Sequence, residues 1–269
     1  MTADRVAPAS VPPEPAPEDE LWTGLRQLTA ARIGLRRAGP ALATGPLLDF
    51  RLAHARARDA VLEVLDAARL ADEIVALGSV VLTVSSAACD RQTYLMRPDL
   101  GRRLAPDASV TLAAHRSDYD IVFVVADGLS ARAVQAHAPP GLAGTLSSLR
   151  AEGWRIAPLV IVRHGRVAIG DAIATALGAT AVAILIGERP GLSAPDSMGA
   201  YLTWRPHAAT TDADRNCISN IRPEGIDYRA ASLKLDHLLR AMRARNLSGV
   251  SLKDDSDRLL TGREPAPAR

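Results

Sequence analysis

The residues best suited to chemistry stand just beyond three short apolar runs. Residues 121–125 lead into Ala126-Asp127-Gly128-Leu129-Ser130, residues 159–162 into Arg163-His164-Gly165-Arg166-Val167, and residues 181–186 into Gly187-Glu188-Arg189-Pro190-Gly191. Each loop carries glycine, which permits close backbone approach to a ligand, and each carries charge. Glu188 is expected either as a ligand acceptor at a strand end or as a surface carboxylate paired with Arg189. Cys217 lies in the polar run Asn216 to Asn220, where a lone cysteine reads as a small buried apolar group sooner than as a reactive thiol. Asp127 is expected to cap the following helix. Val167 reads, on its own, as the first residue of a helix, and His54 and His164 as packing or surface residues.

Elements that would bring these loops together are legible upstream of each. The runs at 80–84, 121–125, 159–162 and 181–186 are continuous and rich in Val and Ile, the pattern of strands buried on both faces of a parallel sheet. Helical segments at 142–152 and 170–177 separate them, which implies βαβ units with right-handed crossovers. The expected fold is therefore α/β: a doubly wound, mostly parallel, Rossmann-like sheet preceded by an N-terminal helical arm. In a parallel sheet the three loops share the carboxyl edge, where such sheets bind ligands. The expected organisation is a disordered proline-rich extension at 1–19, a helical arm at 20–75, an α/β domain at 76–253 and a frayed tail at 254–269. Within the arm, one helix is expected from Glu20 up to Gly39-Pro40 and another over 47–68. A last helix is expected at 228–245. Residues 187–225 read as a long ordered loop.

Composition narrows the function. The 269 residues carry a net charge of +2, with 32 Lys and Arg against 30 Asp and Glu, so there is no electrostatic footprint for non-specific nucleic-acid binding. Only Lys234 and Lys253 are lysines, which reads as compositional bias. Aromatics make up 3%, too few for base-stacking platforms. The two cysteines, Cys89 and Cys217, fit a reducing cytoplasm and form no metal-spacing motif. There is no apolar run of the ~20 residues that span a membrane. The first twenty residues hold five prolines and lack the apolar core of a signal peptide. Neither G-x-G-x-x-G after the first strand nor G-x-x-x-x-G-K-[ST] is present, which argues against dinucleotides and nucleoside triphosphates. No H-E-x-x-H or Cys/His cluster implies a metal.

Several blocks together resemble one family. GERPGL, APDS, YLTW and RNCISNIRPEG between 187 and 225, with LLDF and HARARDAV at 47–61, RPDLGRRL at 97–104 and ADGLSA at 126–131, resemble the light chain (small subunit) of ethanolamine ammonia-lyase. The likeness extends over about 25–253. It implies an adenosylcobalamin-dependent enzyme that converts ethanolamine to acetaldehyde and ammonia through a 5′-deoxyadenosyl radical. The substrate pocket would lie on the large (heavy) subunit, with the cofactor held between the two chains. On this resemblance Val167, Glu188 and Cys217 are the cofactor contacts, and this chain supplies no catalytic acid or base and no metal ligand. The D-x-H-x-x-G string of proteins that replace the lower base of cobalamin by histidine is absent, so the dimethylbenzimidazole is expected to stay on cobalt. Relatives can be packaged in a bacterial microcompartment through an amphipathic N-terminal helix, which the proline-rich extension here is expected not to form. A non-catalytic docking module and an S-adenosylmethionine-type transferase are the competing readings.

Overall fold

The computed structural model describes residues 17–256. The rest of the expected extension, 1–16, and most of the expected tail, 257–269, lie outside the described residues. The described residues divide into two compact units between Ala53 and His54. Their boundary falls inside one helix, upstream of the expected division at 75/76.

In the first unit, helix α1 (Pro17–Gln27) is followed by a two-residue antiparallel pair, β1 (Arg37–Ala38) and β2 (Ala41–Leu42), and by the start of α2 (Thr44–Leu62). Helix α1 stops well short of Gly39-Pro40. The Arg26 guanidinium donates to the carbonyls of Ile33 and Gly34, and Gly34 has φ +56°, a left-handed bend incompatible with continued helix. The helix expected over 47–68 is two helices. After α2, the Asp66 carboxylate accepts from Arg69 N at 3.1 Å and caps α3 (Ala67–Val75).

The second unit continues with β3 (Val81–Ser85), α4 (Arg91–Met96), α5 (Pro106–Ala113), β4 (Tyr119–Ala126), α6 (Ala131–Ala151), β5 (Leu159–Arg163), α7 (Ile169–Leu177), β6 (Ala179–Gly187), β7 (Met198–Trp204), β8 (Arg215–Ile221) and α8 (Tyr228–Arg245). The six strands form one sheet in the order β3-β5-β4-β6-β7-β8. The first four are mutually parallel, and β7 and β8 are added antiparallel. The fold is thus mixed α/β with a mostly parallel sheet.

Strand alternation divides the core into two layers. Ile121, Phe123 and Val125 of β4 face a cluster with α3, α6 and α8, whereas Val122, Val124 and Ala126 face α5 and α7. Helices therefore cover both faces, and each fully buried Val, Ile or Leu contributes roughly 1.5–3 kcal/mol. Helix α7 ends at Gly178 (φ +80°), where a Cβ would lie 2.4 Å from the Ser117 carbonyl. Helix α6 starts eleven residues earlier than expected and runs through Pro139 and Pro140, which lack the N–H groups that would bond the carbonyls of Gln135 and Ala136.

The segment expected as a loop over 187–225 holds β7 and β8. Strand β7 is buried on both faces although Gly199 and Ala200 have low strand propensity. Strand β8 is polar because it is the sheet edge. Its buried Asn216 donates to the carbonyls of Gly249 (3.3 Å) and Leu252 (2.9 Å) and accepts from Gly249 N (2.7 Å). At the other edge, Ala87 N donates to Arg103 O at 2.8 Å and Ala105 N to Ser85 O at 3.1 Å. At the start of the expected frayed tail, Ser256 is fully buried, its hydroxyl accepting from Lys234 Nζ at 3.1 Å, and Asp255 meets the His237 ring at 2.7 Å.

Candidate functional site

The ends of β4, β5 and β6 enclose a cleft of about 450 Å³ at the carboxyl edge of the sheet. Two of its walls are locked together by glycine. Gly128 (φ +54°) lies so close to the end of β6 that a Cβ would sit 2.3 Å from the Gly187 carbonyl, and Leu129 N donates to that carbonyl at 2.9 Å. The third wall is the turn after β5, which begins with His164 in the left-handed region (φ +58°). Asp127 ties it to the first. Its buried carboxylate accepts from Gly165 N at 3.2 Å and stands 3.8 Å from Arg91 Nη1, which itself donates to Gly128 O at 2.6 Å. Burial raises the Asp127 pKa, opposed by the backbone N–H of His164 and the charge of Arg91. Asp127 therefore joins two turns instead of capping α6. The cap is Ser130, whose hydroxyl accepts from Ala133 N at 3.3 Å.

The floor is apolar, formed by Leu129, Val167 and Ile186, with the Tyr94 and Tyr201 rings beside it. The Arg166 guanidinium stacks over Tyr94 at 4.2 Å from the ring centroid and donates to Tyr94 O at 3.2 Å. Desolvation pushes the Tyr94 pKa up to about 12, so the phenol stays protonated and donates to Gly165 O at 3.3 Å.

Glu188 follows β6 directly, with its N–H on Ser197 O at 3.0 Å. Its carboxylate accepts from the Ser219 hydroxyl (2.6 Å) and from Asn220 N (3.3 and 3.2 Å to the two oxygens). These partners belong to β8, and Glu188 makes no ion pair with Arg189 among the described residues. Val167 lines the cleft from the turn before α7, its carbonyl accepting from Gly170 N at 3.1 Å, and so precedes the helix it was expected to start. Cys217 lies on β8, in register with Tyr201. Its thiol is exposed to solvent, yet neighbouring groups desolvate it and raise its pKa; the Glu188 carboxylate adds to that rise, against a hydrogen bond from Tyr201. The structure thus brings Val167 and Glu188 into one cleft and sets Cys217 beside Tyr201, its cross-strand neighbour, outside the lining.

Residues 19–253 match the family described as ethanolamine ammonia-lyase light chain (EutC). The chain belongs to that family. Relatives named ethanolamine ammonia-lyase small subunit are similar to this light chain over nearly its whole length. The one from Ralstonia nicotianae is 52% identical over 262 residues, covering 96% of this chain and 95% of its own. Those from Azotobacter vinelandii and Xanthomonas campestris pv. campestris are 53% and 51% identical, covering 90% and 93% of this chain and 91% and 93% of their own. Ammonia-lyases cleave carbon–nitrogen bonds, and the small-subunit family works as part of a complex.

Reasoning from the light-chain sequence missed Tyr201, Ser219 and Asn220 as parts of the site. The only signal was the Ser-Asn pair two residues beyond Cys217, read there as loop polarity. His164 lies outside the cleft, its Nδ1 3.1 Å from Ala88 O. His54 lies on α2, also outside it. A larger groove, about 640 Å³, runs along α5 and α7 beside Leu104, Ala172 and Thr210. Its buried carboxylate, Asp171, is already held by both terminal nitrogens of Arg215 at 2.7 and 2.6 Å. The smaller cleft is therefore the better candidate: its carboxylate keeps acceptor capacity at a solvent-facing mouth. Among the described residues no group of His, Cys, Asp and Glu is arranged to hold a metal ion, and no helix is long and apolar enough to cross a membrane.

Proposed function

We propose that this chain is the small subunit of an adenosylcobalamin-dependent ethanolamine ammonia-lyase and supplies one wall of the cobalamin site, facing the large subunit. The observation that carries the reading is Glu188, a carboxylate fixed by two hydrogen-bond donors at the mouth of an apolar-floored cleft, in a chain of the light-chain family. The donor set fits the cofactor. A corrin presents a broad apolar edge fringed with amides, which Leu129, Val167 and Ile186 meet by contact and the Glu188 carboxylate by accepting N–H groups. A volume of about 450 Å³ accommodates an edge of so large a ligand, in keeping with a site completed by a second chain. When bound, adenosylcobalamin supplies radical abstraction of hydrogen from the substrate. This chain's own part is to bind, orient and exclude water.

In this reading Val167 and Glu188 touch the cofactor directly. Cys217, exposed beside Tyr201 on β8, contributes at the rim. Retention of dimethylbenzimidazole on cobalt rests on the absent D-x-H-x-x-G string alone. Helices on both faces of the parallel strands support the finer description of the domain as doubly wound and Rossmann-like. On α2, Leu48 and Leu52 are more than half exposed, which supports an N-terminal helical arm that meets the large subunit. Free Cys89 and Cys217 support a reducing cytoplasm. Packaging in a microcompartment rests on family likeness alone.

Glu188→Gln tests the reading, because it keeps the shape but exchanges one acceptor oxygen for a donor. In the two-subunit complex, adenosylcobalamin affinity should fall roughly ten- to a hundredfold, since hydrogen bonds to charged groups contribute ~1.5–3 kcal/mol. The KM for ethanolamine at saturating cofactor should change little. Unchanged cofactor affinity in a folded Gln variant would remove Glu188 from the site.

A further inference from the structure

The carboxylate of Glu188 does not point freely. Its Oε1 accepts both the Ser219 hydroxyl (2.6 Å) and Asn220 N (3.3 Å), whereas Oε2 accepts only Asn220 N (3.2 Å). With about two lone pairs per oxygen, Oε1 is saturated by the protein and Oε2 keeps one acceptor site. The backbone that delivers these donors is unusual. Asn220 is left-handed (φ +60°), a conformation Asn tolerates better than most residues, and it interrupts the ladder where β7 and β8 shift register between Met198 and Ala200. Three contacts hold it: Arg222 Nε on its side-chain oxygen at 3.1 Å, Ile226 N on its carbonyl at 2.9 Å, and Gly225, where a Cβ would lie 2.2 Å from that carbonyl. Gly199 makes the space, since a Cβ there would stand 2.9 Å from Glu188 Oε1.

We infer that Ser219 is a positioning residue for the cofactor site: its hydroxyl, with the left-handed Asn220 amide, saturates Oε1 and leaves Oε2 as the oxygen that accepts an amide N–H from the ligand. The inference rests on the cobalamin reading and goes beyond it by assigning the acceptor atom and the group that orients it. A hydroxyl that only stabilised β8 would act the same whether or not residue 188 were a carboxylate. A hydroxyl that orients Glu188 has an effect only when Glu188 is present.

The test uses the purified two-subunit complex and equilibrium dialysis with cyanocobalamin, which binds without turning over. Ser219→Ala should weaken binding about three- to tenfold, less than loss of the ligand's own hydrogen bond to Glu188, because the hydroxyl acts only by orienting the acceptor. Ser219→Thr, which keeps the hydroxyl, should restore most of it. In a Glu188→Ala background, Ser219→Ala should change the affinity by less than about twofold. Wild-type affinity in Ser219→Ala overturns the inference while leaving the cobalamin reading intact, and so does an equal loss in both backgrounds. Wild-type affinity in Glu188→Ala removes Glu188 from the site and this inference with it, whereas a wild-type complex that retains no cyanocobalamin removes the cobalamin reading itself. Thermal melting of each complex separates loss of binding from loss of fold. Should Ser219→Ala not assemble, binding by Ser219→Thr and Ser219→Cys decides: equal affinities overturn the inference, because a thiol is a far weaker donor.

Discussion

The parallel strands β3 to β6 and the antiparallel pair β7–β8 share one sheet but rest on different chemistry. In β4 the last six residues are buried, all are apolar, and they alternate between two helical layers. In β8 three of seven residues face solvent, and two of the four buried ones are polar: Arg215, held through its two terminal nitrogens, and Asn216, held through its carboxamide. Parallel strands of the first kind make a rigid edge whose loops approach one another through backbone. They offer almost no side-chain donors of their own. Strands of the second kind provide the donors that hold Glu188, at the expense of needing buried polar contacts to stay attached.

That division can be broken at its strongest link. Arg215 of β8 meets Asp171 of α7 through two buried hydrogen bonds. Arg215→Ala would leave Asp171 without its countercharge, and urea denaturation should record a loss of about 3–5 kcal/mol. An Arg215→Met/Asp171→Leu double variant should recover most of it. A loss below about 1 kcal/mol in the single variant would mean that backbone pairing alone retains the antiparallel strands.

The next test falls within the parallel half. Gly128→Ala puts a methyl group 2.3 Å from the Gly187 carbonyl at positive φ. The same denaturation should show roughly 1–3 kcal/mol of destabilisation. Wild-type stability would show that the close approach of the two loops is not required.

The smallest effect concerns the loop between β6 and β7. His137 of α6 is buried, its Nδ1 2.9 Å from the Tyr228 hydroxyl and its Nε2 3.9 Å from Asp196. Desolvation lowers its pKa from the model-peptide 6.5, with Asp196 opposing. The folded state therefore favours neutral imidazole, and the unfolded chain takes up the proton first. This contribution is complete above about pH 6.5 and is lost as the pH falls below it. Melting temperatures between pH 7.5 and 5 should drop more steeply for the wild type than for His137→Gln. Parallel curves would remove His137 as a source of pH dependence.

How much of this was legible depended on burial. The four parallel strands read directly from their Val- and Ile-rich runs, and so did the shared edge of the three loops. Glu188 was legible because it follows such a run. The antiparallel pair was not, because Gly199 and Ala200 suppress the strand signal in β7 and solvent exposure makes β8 look like loop. Ser219 and Asn220 were hidden with it, since their role follows from a register shift and a left-handed residue that periodicity does not report. Asp127 was misassigned because Ser130, three residues on, is a rival cap, and only tertiary packing reveals which one binds the helix. The helix through Pro139-Pro140 was cut short by a local rule that burial against the sheet overrides.

Asn216 at the end of the sheet has a consequence for assembly. Its carboxamide presents a donor and an acceptor to the 249–252 segment much as the backbone of one more strand would, and Ile226 N occupies the Asn220 carbonyl farther along. On the far side, the 103–105 segment takes the same place beside β3. Each margin of the sheet is thus covered in part by its own chain, at the 85–87 end of β3 and at Asn216 and Asn220 of β8. A strand added at either margin would first have to displace these contacts, which works against edge-to-edge pairing of protomers.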